Sequence, residues 1–165
     1  MASVVMNKVF STVVELVAAH PERIKFILLK EKMPTVAKAA EVLKCQESDI
    51  VKTCIVKTDT KLYIAVILQG TDRISQPALK AILGVKKCSF ASADEVLTVT
   101  GYIAGGTPPI GLGPLVSRIL MDQKVLHHPL VIGGGGAQEA LIQLSPQTIQ
   151  ELSAAEVVQI SEDVC

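Results

Sequence analysis

Two segments rich in valine and isoleucine, separated by a short polar turn, constrain the fold of this chain most strongly. They are Ile50–Lys57 and Lys61–Leu68, and Thr58-Asp59-Thr60 lies between them. β-Branched residues favour strands, and Thr-Asp-Thr has the chemistry of a hairpin turn. The pattern therefore predicts a β-hairpin over residues 50–68.

Helix signals alternate with further short apolar runs along the rest of the chain. Helices, with their caps, are predicted at Lys8–His20, Thr35–Leu43, Ser75–Gly84, Ser92–Gly101 and from Ser145-Pro146 onward. Strands are predicted at Lys25–Leu29, Ile119–Met121, Leu130–Ile132, Ala140–Leu144 and Val157–Ile160. These elements predict one α/β domain over residues 1–165, of the α+β kind, with a mixed sheet whose strand order the pattern does not determine.

Composition narrows the classes of function. The chain is 49% hydrophobic, lacks Trp, and holds three Phe and two Tyr. Its core must be aliphatic, which argues against proteins that stack nucleic acid bases on aromatic platforms. Sixteen basic and sixteen acidic residues balance. This weighs against DNA and against broad coating of a phosphate backbone, but permits contact with one end of an RNA.

Cysteine spacing and hydropathy bear on the compartment. The four cysteines are Cys45, Cys54, Cys88 and Cys165, and no two form a CxxC pair. We interpret them as free, mostly buried thiols in a reducing environment. No apolar run has the flanks of a signal peptide or the length of a membrane span. A cytoplasmic protein without membrane association is expected.

Lys52 is the first candidate functional residue, because it interrupts the apolar strand IVKTCIV. Alternation places Lys52 on one face with Ile50 and Cys54, while Val51 and Thr53 face the other way. An ammonium group is costly to bury without a partner. Two interpretations stay open: a functional lysine, or an edge lysine whose tip reaches water.

Two glycine-rich segments are the other candidates. Gly133–Gly136 follows the apolar run LVI and could present bare amide N–H groups to an anion or a developing oxyanion. It lacks the context of a nucleotide-binding loop, and a flexible surface loop is the alternative. Gly101–Gly113 is a long Gly/Pro segment that cannot carry regular structure. It suits either a pocket wall or a plain crossover.

The remaining reactive residue types give weak signals. His127 and His128 precede Pro129, and no carboxylates stand at ligand spacing, so an exposed turn is predicted and no metal or other cofactor is expected. Cys54 has no basic neighbour identifiable from the sequence, which favours a core thiol over a nucleophile. No Ser-His-Asp arrangement is evident.

Several segments in register resemble the family of YbaK and prolyl-tRNA-synthetase-associated editing domains. They are AAEVL (Ala39–Leu43), DIVKTCIVK (Asp49–Lys57), LGVKK (Leu83–Lys87), TGYIAGGTPPIG (Thr100–Gly111) and GGGG (Gly133–Gly136) followed by ALIQLSP (Ala140–Pro146). The resemblance implies a partly barrel-like mixed sheet with flanking helices. It also implies a free-standing, trans-acting enzyme that hydrolyses the ester between a mischarged amino acid and the terminal adenosine of a tRNA.

The resemblance further implies roles for individual residues. Lys52 would hold the acceptor end by phosphate or by the ester region. The amides of Gly134, Gly135 and Gly136 would bind the carbonyl oxygen as it becomes an oxyanion. The 2′-hydroxyl or side chain of the substrate would help to activate water. The implied substrate-binding residues are Gly101, Gly105, Gly106, Thr107, Pro108, Gly133 and Gln138.

The chain departs from the bacterial pattern of this family at five positions. Gly134 and Pro108 stand where Ser is common, Gln138 where Arg is, Leu141 where Asp is, and Lys30 where Tyr is. These changes remove polar groups from the expected pocket, so the amino acid removed does not carry over from relatives. Two functions stay open: a deacylase, or a non-catalytic module that binds the acceptor end or an aminoacyl-tRNA synthetase, as a monomer or homodimer.

Overall fold

A computed structural model describes residues 11–32 and 35–163 of the chain. The strands are β1 (Lys25–Leu28), β2 (Val51–Thr58), β3 (Tyr63–Gln69), β4 (Asp72–Ile74), β5 (Cys88–Phe90), β6 (Val116–Asp122), β7 (Val131–Gly134), β8 (Ala140–Leu144), β9 (Glu156–Val158) and β10 (Ser161–Asp163). The α-helices are α1 (Val13–Ala19), α2 (Val36–Leu43), α3 (Gln76–Leu83), α4 (Ala93–Thr100) and α5 (Pro146–Ser153). Short 3₁₀ helices lie at Glu47–Asp49 and Gln123–His127.

The predicted hairpin forms the centre of a five-stranded sheet with the order β5-β2-β3-β6-β9. Strands β2 and β3 pair antiparallel from Val51 opposite Gln69 to Lys57 opposite Tyr63. Strand β5 is antiparallel to β2, whereas β6 and β9 extend the sheet in parallel. The predicted mixed sheet with flanking helices is confirmed.

A second sheet has the order β1-β8-β7 and is antiparallel throughout. It meets the central sheet through a single parallel bridge between Ile50, just before β2, and Ile132 of β7. Strands β4 and β10 form a separate antiparallel pair.

Both faces of the central sheet are buried. Along β3, Val66 and Leu68 pack into a cluster with Leu79 of helix α3, whereas Ile67 belongs to a cluster on the opposite face with Ile142 of β8. All three of these β3 residues are completely buried. A strand covered on both sides needs no polar face, which explains the continuous apolar run of the hairpin.

Helix capping follows the sequence rules. Thr35, Ser75 and Ser145 each accept a hydrogen bond from the amide three residues later. Helices α3 and α4 end at Gly84 and Gly101, both in the left-handed conformation. These predicted helix boundaries are confirmed. The first helix, predicted over Lys8–His20, begins at Val13 with Thr12 as its N-cap, and residues 8–10 of the prediction lie outside the described part.

Among the remaining predictions, three short strands were missed, and the Gly/Pro segment lacks regular structure as predicted. Strands β4, β5 and β10 were missed because three residues are too few to show a period. The Gly101–Gly113 segment has no regular structure, as predicted. Cys45, Cys54 and Cys88 are free and half-buried, and Cys165 lies outside the described residues. Across residues 11–32 and 35–163, no helix is long and apolar enough to cross a membrane.

Glu95 joins helix α4 to the central sheet. Its carboxylate accepts the Ser92 amide N–H at 3.0 Å and the Tyr63 hydroxyl at 2.8 Å, and it pairs with Lys57 Nζ at 2.9 Å. The hydrogen bond from Ser92, followed by those from Lys57 and Tyr63, lowers the pKa of Glu95 to about 2. One surface carboxylate therefore links the start of the helix to both strands of the hairpin.

The substitution Glu95→Gln is expected to reduce the loss of stability in acid. The folded-state pKa of about 2 lies below the value of about 4.3 for an unfolded glutamate. Glu95 therefore stabilises fully above about pH 4.3, and its contribution is lost as the pH falls toward about 2. Thermal unfolding followed by circular dichroism should show the wild-type midpoint dropping further than that of the variant across this range. Parallel curves for the two proteins would contradict the assignment.

Candidate functional site

The site lies where the pairing between strands β2 and β7 stops. The two strands run parallel beside each other, yet only Ile50 and Ile132 form a bridge. In a continued parallel ladder, the Gly134 N–H would donate to the Val51 carbonyl and the Thr53 N–H to the Gly134 carbonyl. No second bridge continues the ladder, and a cavity lined by residues of both strands lies at this point.

Hydrogen bonding elsewhere in the sheet fixes which backbone groups of β2 face this cavity. The Gly70 N–H donates to the Ile50 carbonyl at 2.6 Å, so the even-numbered residues of β2 turn their backbone groups toward β3. The odd-numbered residues turn theirs to the opposite edge, where the Ala91 N–H donates to the Ile55 carbonyl at 2.9 Å. Thr53 has the same parity as Ile55, so its N–H and carbonyl face the cavity.

The hydrogen bonds of strand β7 likewise show in which direction each N–H group of Gly133–Gly136 points. The Gly135 N–H donates to the Ala140 carbonyl at 2.8 Å, so alternation along β7 directs the Gly133 N–H toward β8 as well. The Gly136 N–H donates to the Gly106 carbonyl at 2.9 Å. Of the amides expected to be bare, those of Gly135 and Gly136 are bonded within the protein, whereas alternation directs the Gly134 N–H away from β8 and toward β2.

The cavity is small, with a volume of about 130 Å³. Its walls come from the start of helix α2, from β2, from the Gly/Pro segment and from β7-β8. The lining residues are Thr35, Val36, Ala39, Ile50, Val51, Lys52, Thr53, Gly105, Thr107, Gly133, Gly134 and Leu141. A larger cleft of about 410 Å³ lies elsewhere and includes neither Lys52 nor any residue of the glycine run.

Gly134 is a glycine for a steric reason. A Cβ atom at this position would lie 2.5 Å from the Thr107 carbonyl oxygen and 2.9 Å from the Gly106 carbonyl oxygen. Real Cβ atoms do not approach backbone oxygens this closely, so any side chain at 134 would displace the Gly/Pro segment. Because Gly134 has no side chain, strand β7 and the Gly/Pro segment can pack directly against each other beside the cavity.

The Gly/Pro segment is held in place from both ends. The Tyr102 hydroxyl donates to the Gly111 carbonyl at 2.7 Å and accepts the Val13 N–H at 2.9 Å. Burial raises the pKa of the Tyr102 phenol, so it keeps its proton at neutral pH. The Gln138 side chain reaches the Ala104 carbonyl at 3.4 Å. The segment is therefore a fixed wall.

Lys52 is the single residue with an ionisable side chain among the described residues that line the cavity. Its side chain is half-buried, and none of the ion pairs formed within the described residues involves it. Its charge acts on the nearby Cys54: burial raises the pKa of this thiol, and the positive charge of Lys52 opposes the rise only in part. Cys54 therefore carries its proton at neutral pH and is a poor nucleophile.

The structure gathers some of the residues that the sequence singled out and not others. Lys52, Gly105, Thr107, Gly133 and Gly134 line the cavity. Six others do not line it: Gly101, Gly106, Pro108, Gly135, Gly136 and Gln138. Gly101 ends helix α4, and Gly106, Gly136 and Gln138 take part in hydrogen bonds that hold the walls. In residues 11–32 and 35–163, no three His, Cys, Asp or Glu side chains are grouped as metal ligands would be.

Sequence reasoning missed the contributions of Thr53 and of helix α2 to this cavity. Thr53 was placed on the face opposite Lys52 and given no role, although a hydroxyl in a Val/Ile-rich strand is itself a signal. Thr35 and Val36 were assigned only to a helix start. The position of helix α2 comes from tertiary packing, since Val36 Cγ1 would lie 2.5 Å from a Cβ at Gly70, just after β3.

Comparisons with known proteins agree on one family. Residues 30–152 match the family model described as the aminoacyl-tRNA editing domain. A proline–tRNA ligase of Lactobacillus gasseri is 32% identical over 93 residues, which cover 56% of this chain and 16% of the ligase. The chain thus spans about a sixth of that relative. An Enterococcus faecalis protein provisionally named Cys-tRNA(Pro)/Cys-tRNA(Cys) deacylase EbsC is 24% identical, with 74% of each chain covered.

A solved structure matches nearly the whole chain. The crystal structure of hypothetical protein APE2540 superimposes with a TM-score of 0.84 at 35% sequence identity, covering 91% of this chain and 99% of that one. The family model accounts for both candidate segments, Lys52 with its strand and the glycine run. The chain belongs to the aminoacyl-tRNA editing domain family.

Proposed function

We propose that this protein is a trans-acting deacylase that hydrolyses the ester linking a mischarged amino acid to the terminal adenosine of a tRNA. The observation that carries the proposal is the shared cavity: Lys52, which supplies a cation, and Gly134, whose main-chain N–H is directed away from β8, line one small space. The tRNA acceptor end would be the binding partner, in the cytoplasm, with an aminoacyl-tRNA synthetase as the source of the mischarged substrate.

The chemistry of each group determines its role in the proposed reaction. Lys52 binds the acceptor end through a phosphate or the ester region, since an ammonium is a compact cation with three donors. The Gly134 N–H points at the carbonyl oxygen and stabilises it when it becomes negative. Gly135 and Gly136, whose amides bond to neighbouring carbonyls, hold the turn that positions Gly134.

The reaction needs one water molecule. Its oxygen attacks the ester carbonyl carbon, and the carbonyl oxygen becomes an oxyanion at Gly134. The bond from carbon to the ribose oxygen then breaks, and the proton lost by the water passes to that ribose oxygen. No carboxylate or imidazole lines the cavity among the described residues, so a hydroxyl of the substrate assists the transfer. The products are a free amino acid and an uncharged tRNA.

One observation favours a second candidate, a non-catalytic module that binds the acceptor end. Among the described residues lining the cavity, none carries a carboxylate or an imidazole that could act as a general base. Leu141, where many relatives carry an acid, lines the cavity with an apolar side chain. A site of this kind could bind without turning substrate over.

A deacylation panel separates the two functions. The purified protein is incubated with tRNAs charged with Ala, Ser, Cys or Thr, and release of the labelled amino acid is compared with release in buffer. Faster release of at least one amino acid supports the deacylase. Saturable tRNA binding without release supports the module, and absence of both retires this site as a tRNA site.

The substitution Lys52→Ala is expected to lower kcat/KM for deacylation by roughly 10- to 150-fold, because a hydrogen bond to a charged group contributes about 1.5–3 kcal/mol. The thermal midpoint should change little. Lys57→Ala is the matched control, since Lys57 lies on the same strand, pairs with Glu95 and does not line the cavity. Equal losses in the two variants would show that Lys52 has no special role.

The substitution Gly134→Ala is expected to lower kcat by about 100-fold, since the new Cβ displaces the wall and misplaces the N–H donor. Gly84→Ala is the control: Gly84 has a φ of +66° and open space around it. That variant should lose about 1–2 kcal/mol of stability while keeping its activity. Full activity of a folded Gly134→Ala variant would rule out the amide as the oxyanion donor.

A further inference from the structure

Thr53 carries a polar atom that the free protein leaves unsatisfied. Its Oγ1 is shielded from solvent and has no hydrogen-bond partner within the described residues. Nearly all buried polar side chains in native proteins are hydrogen-bonded, so such an orphan calls for an explanation. Thr53 also lines the cavity between β2 and β7. An orphan hydroxyl on a cavity wall suggests that its partner is a ligand.

The Thr53 hydroxyl can reorient without breaking a hydrogen bond. It projects from β2 on the same face as Val51 and Ile55, which are 3% and 4% exposed. More than one χ1 rotamer is common in strands, and a turn about χ1 can bring the hydroxyl to the position now held by the methyl group. Because the resting position of the hydroxyl has no hydrogen bond, this turn breaks none.

Among the described residues, the other polar side chains of the cavity are Thr35, Lys52 and Thr107, and none of them holds a buried oxygen or nitrogen without a partner. The Thr35 hydroxyl accepts the Lys38 N–H at 3.1 Å and caps helix α2. Under the proposed function, Lys52 serves the phosphate or ester region, and the Gly134 N–H serves the carbonyl oxygen. The rest of the wall around Thr53 is largely apolar, with Val36, Ile50 and Leu141 among its members. Among the parts of the substrate still without a polar contact, the amino acid side chain is the one that differs from one mischarged tRNA to another.

We propose that Thr53 sets the amino acid preference of this site by hydrogen bonding to the side-chain hydroxyl or thiol of a small polar amino acid carried by the tRNA. The inference rests on the proposed function, because it assumes that an aminoacyl ester enters the cavity. Thr53 lines this cavity of about 130 Å³ together with Lys52 and Gly134, so an ester held by these two groups would place its amino acid near Thr53. A polar group in an otherwise apolar pocket discriminates against a substrate that lacks the matching hydroxyl.

The test compares two stable amide analogues, 3′-seryl-amino-3′-deoxyadenosine and its alanyl counterpart, which differ by one hydroxyl. Their affinities for the full-length wild-type protein, Thr53→Val and Thr53→Ser are measured by calorimetry. The wild type should bind the seryl analogue roughly 10-fold more tightly than the alanyl analogue, as expected for one added hydrogen bond. Thr53→Val should abolish the preference, and Thr53→Ser should restore it.

The thermal midpoint of the Thr53→Val variant provides a second test. If Thr53 served only the stability of the fold, its loss would lower this midpoint. Valine has the shape of threonine without the unsatisfied hydroxyl, so Thr53→Val should leave the thermal midpoint unchanged or raise it. Thr58→Val is the matched control at the far end of β2. The Thr58 hydroxyl accepts the Leu62 N–H at 3.1 Å and bonds to Thr60 Oγ1 at 2.8 Å. Its loss should lower the midpoint and leave the seryl preference intact.

Several outcomes would overturn the inference. These are equal binding of the two analogues by the wild type, a preference that survives in Thr53→Val, or an equal loss of affinity for both analogues in that variant. Failure of the wild type to bind either analogue would overturn it as well. Failure to hydrolyse charged tRNA, with the seryl preference intact, would count against the deacylase alone, because binding of the amides requires no turnover.

Discussion

The early end of the parallel pairing between β2 and β7 determines the geometry of the candidate site. Had the ladder continued, Gly134 and Thr53 would have bonded to each other across the two strands, and no space would remain. Because it stops after one bridge, residues of both strands line a small cavity. The existence of the cavity therefore depends on strand pairing, and its side chains only line it.

The rest of the fold supports this cavity. Buried clusters on both faces of the central sheet fix β2, and the antiparallel pairing with β8 fixes β7. The Gly/Pro segment, tied by Tyr102 at one end and by Gly106 near its middle, closes the third side. Rigid surroundings matter because a main-chain donor stabilises a developing charge only where its direction is set beforehand.

Local sequence rules predicted the parts of this fold that depend on neighbours in the chain. The capping box of Ser92 and Glu95 needs only residues three apart, and the hairpin over residues 50–68 needs only composition and a turn. The choice among the glycine amides could not be predicted in this way. It depends on the register of β7 against β8, which decides whether an odd or an even residue bonds inward. The orphan hydroxyl of Thr53 likewise depends on packing between distant segments.

The steric confinement of Gly134 has an evolutionary consequence. A Cβ at position 134 would meet the carbonyl oxygens of Gly106 and Thr107, so the residue at 134 and the position of the Gly/Pro segment are coupled. A relative with Ser at this position would have to hold that segment farther from β7. The width of the cavity can therefore differ between relatives even where its lining side chains are the same.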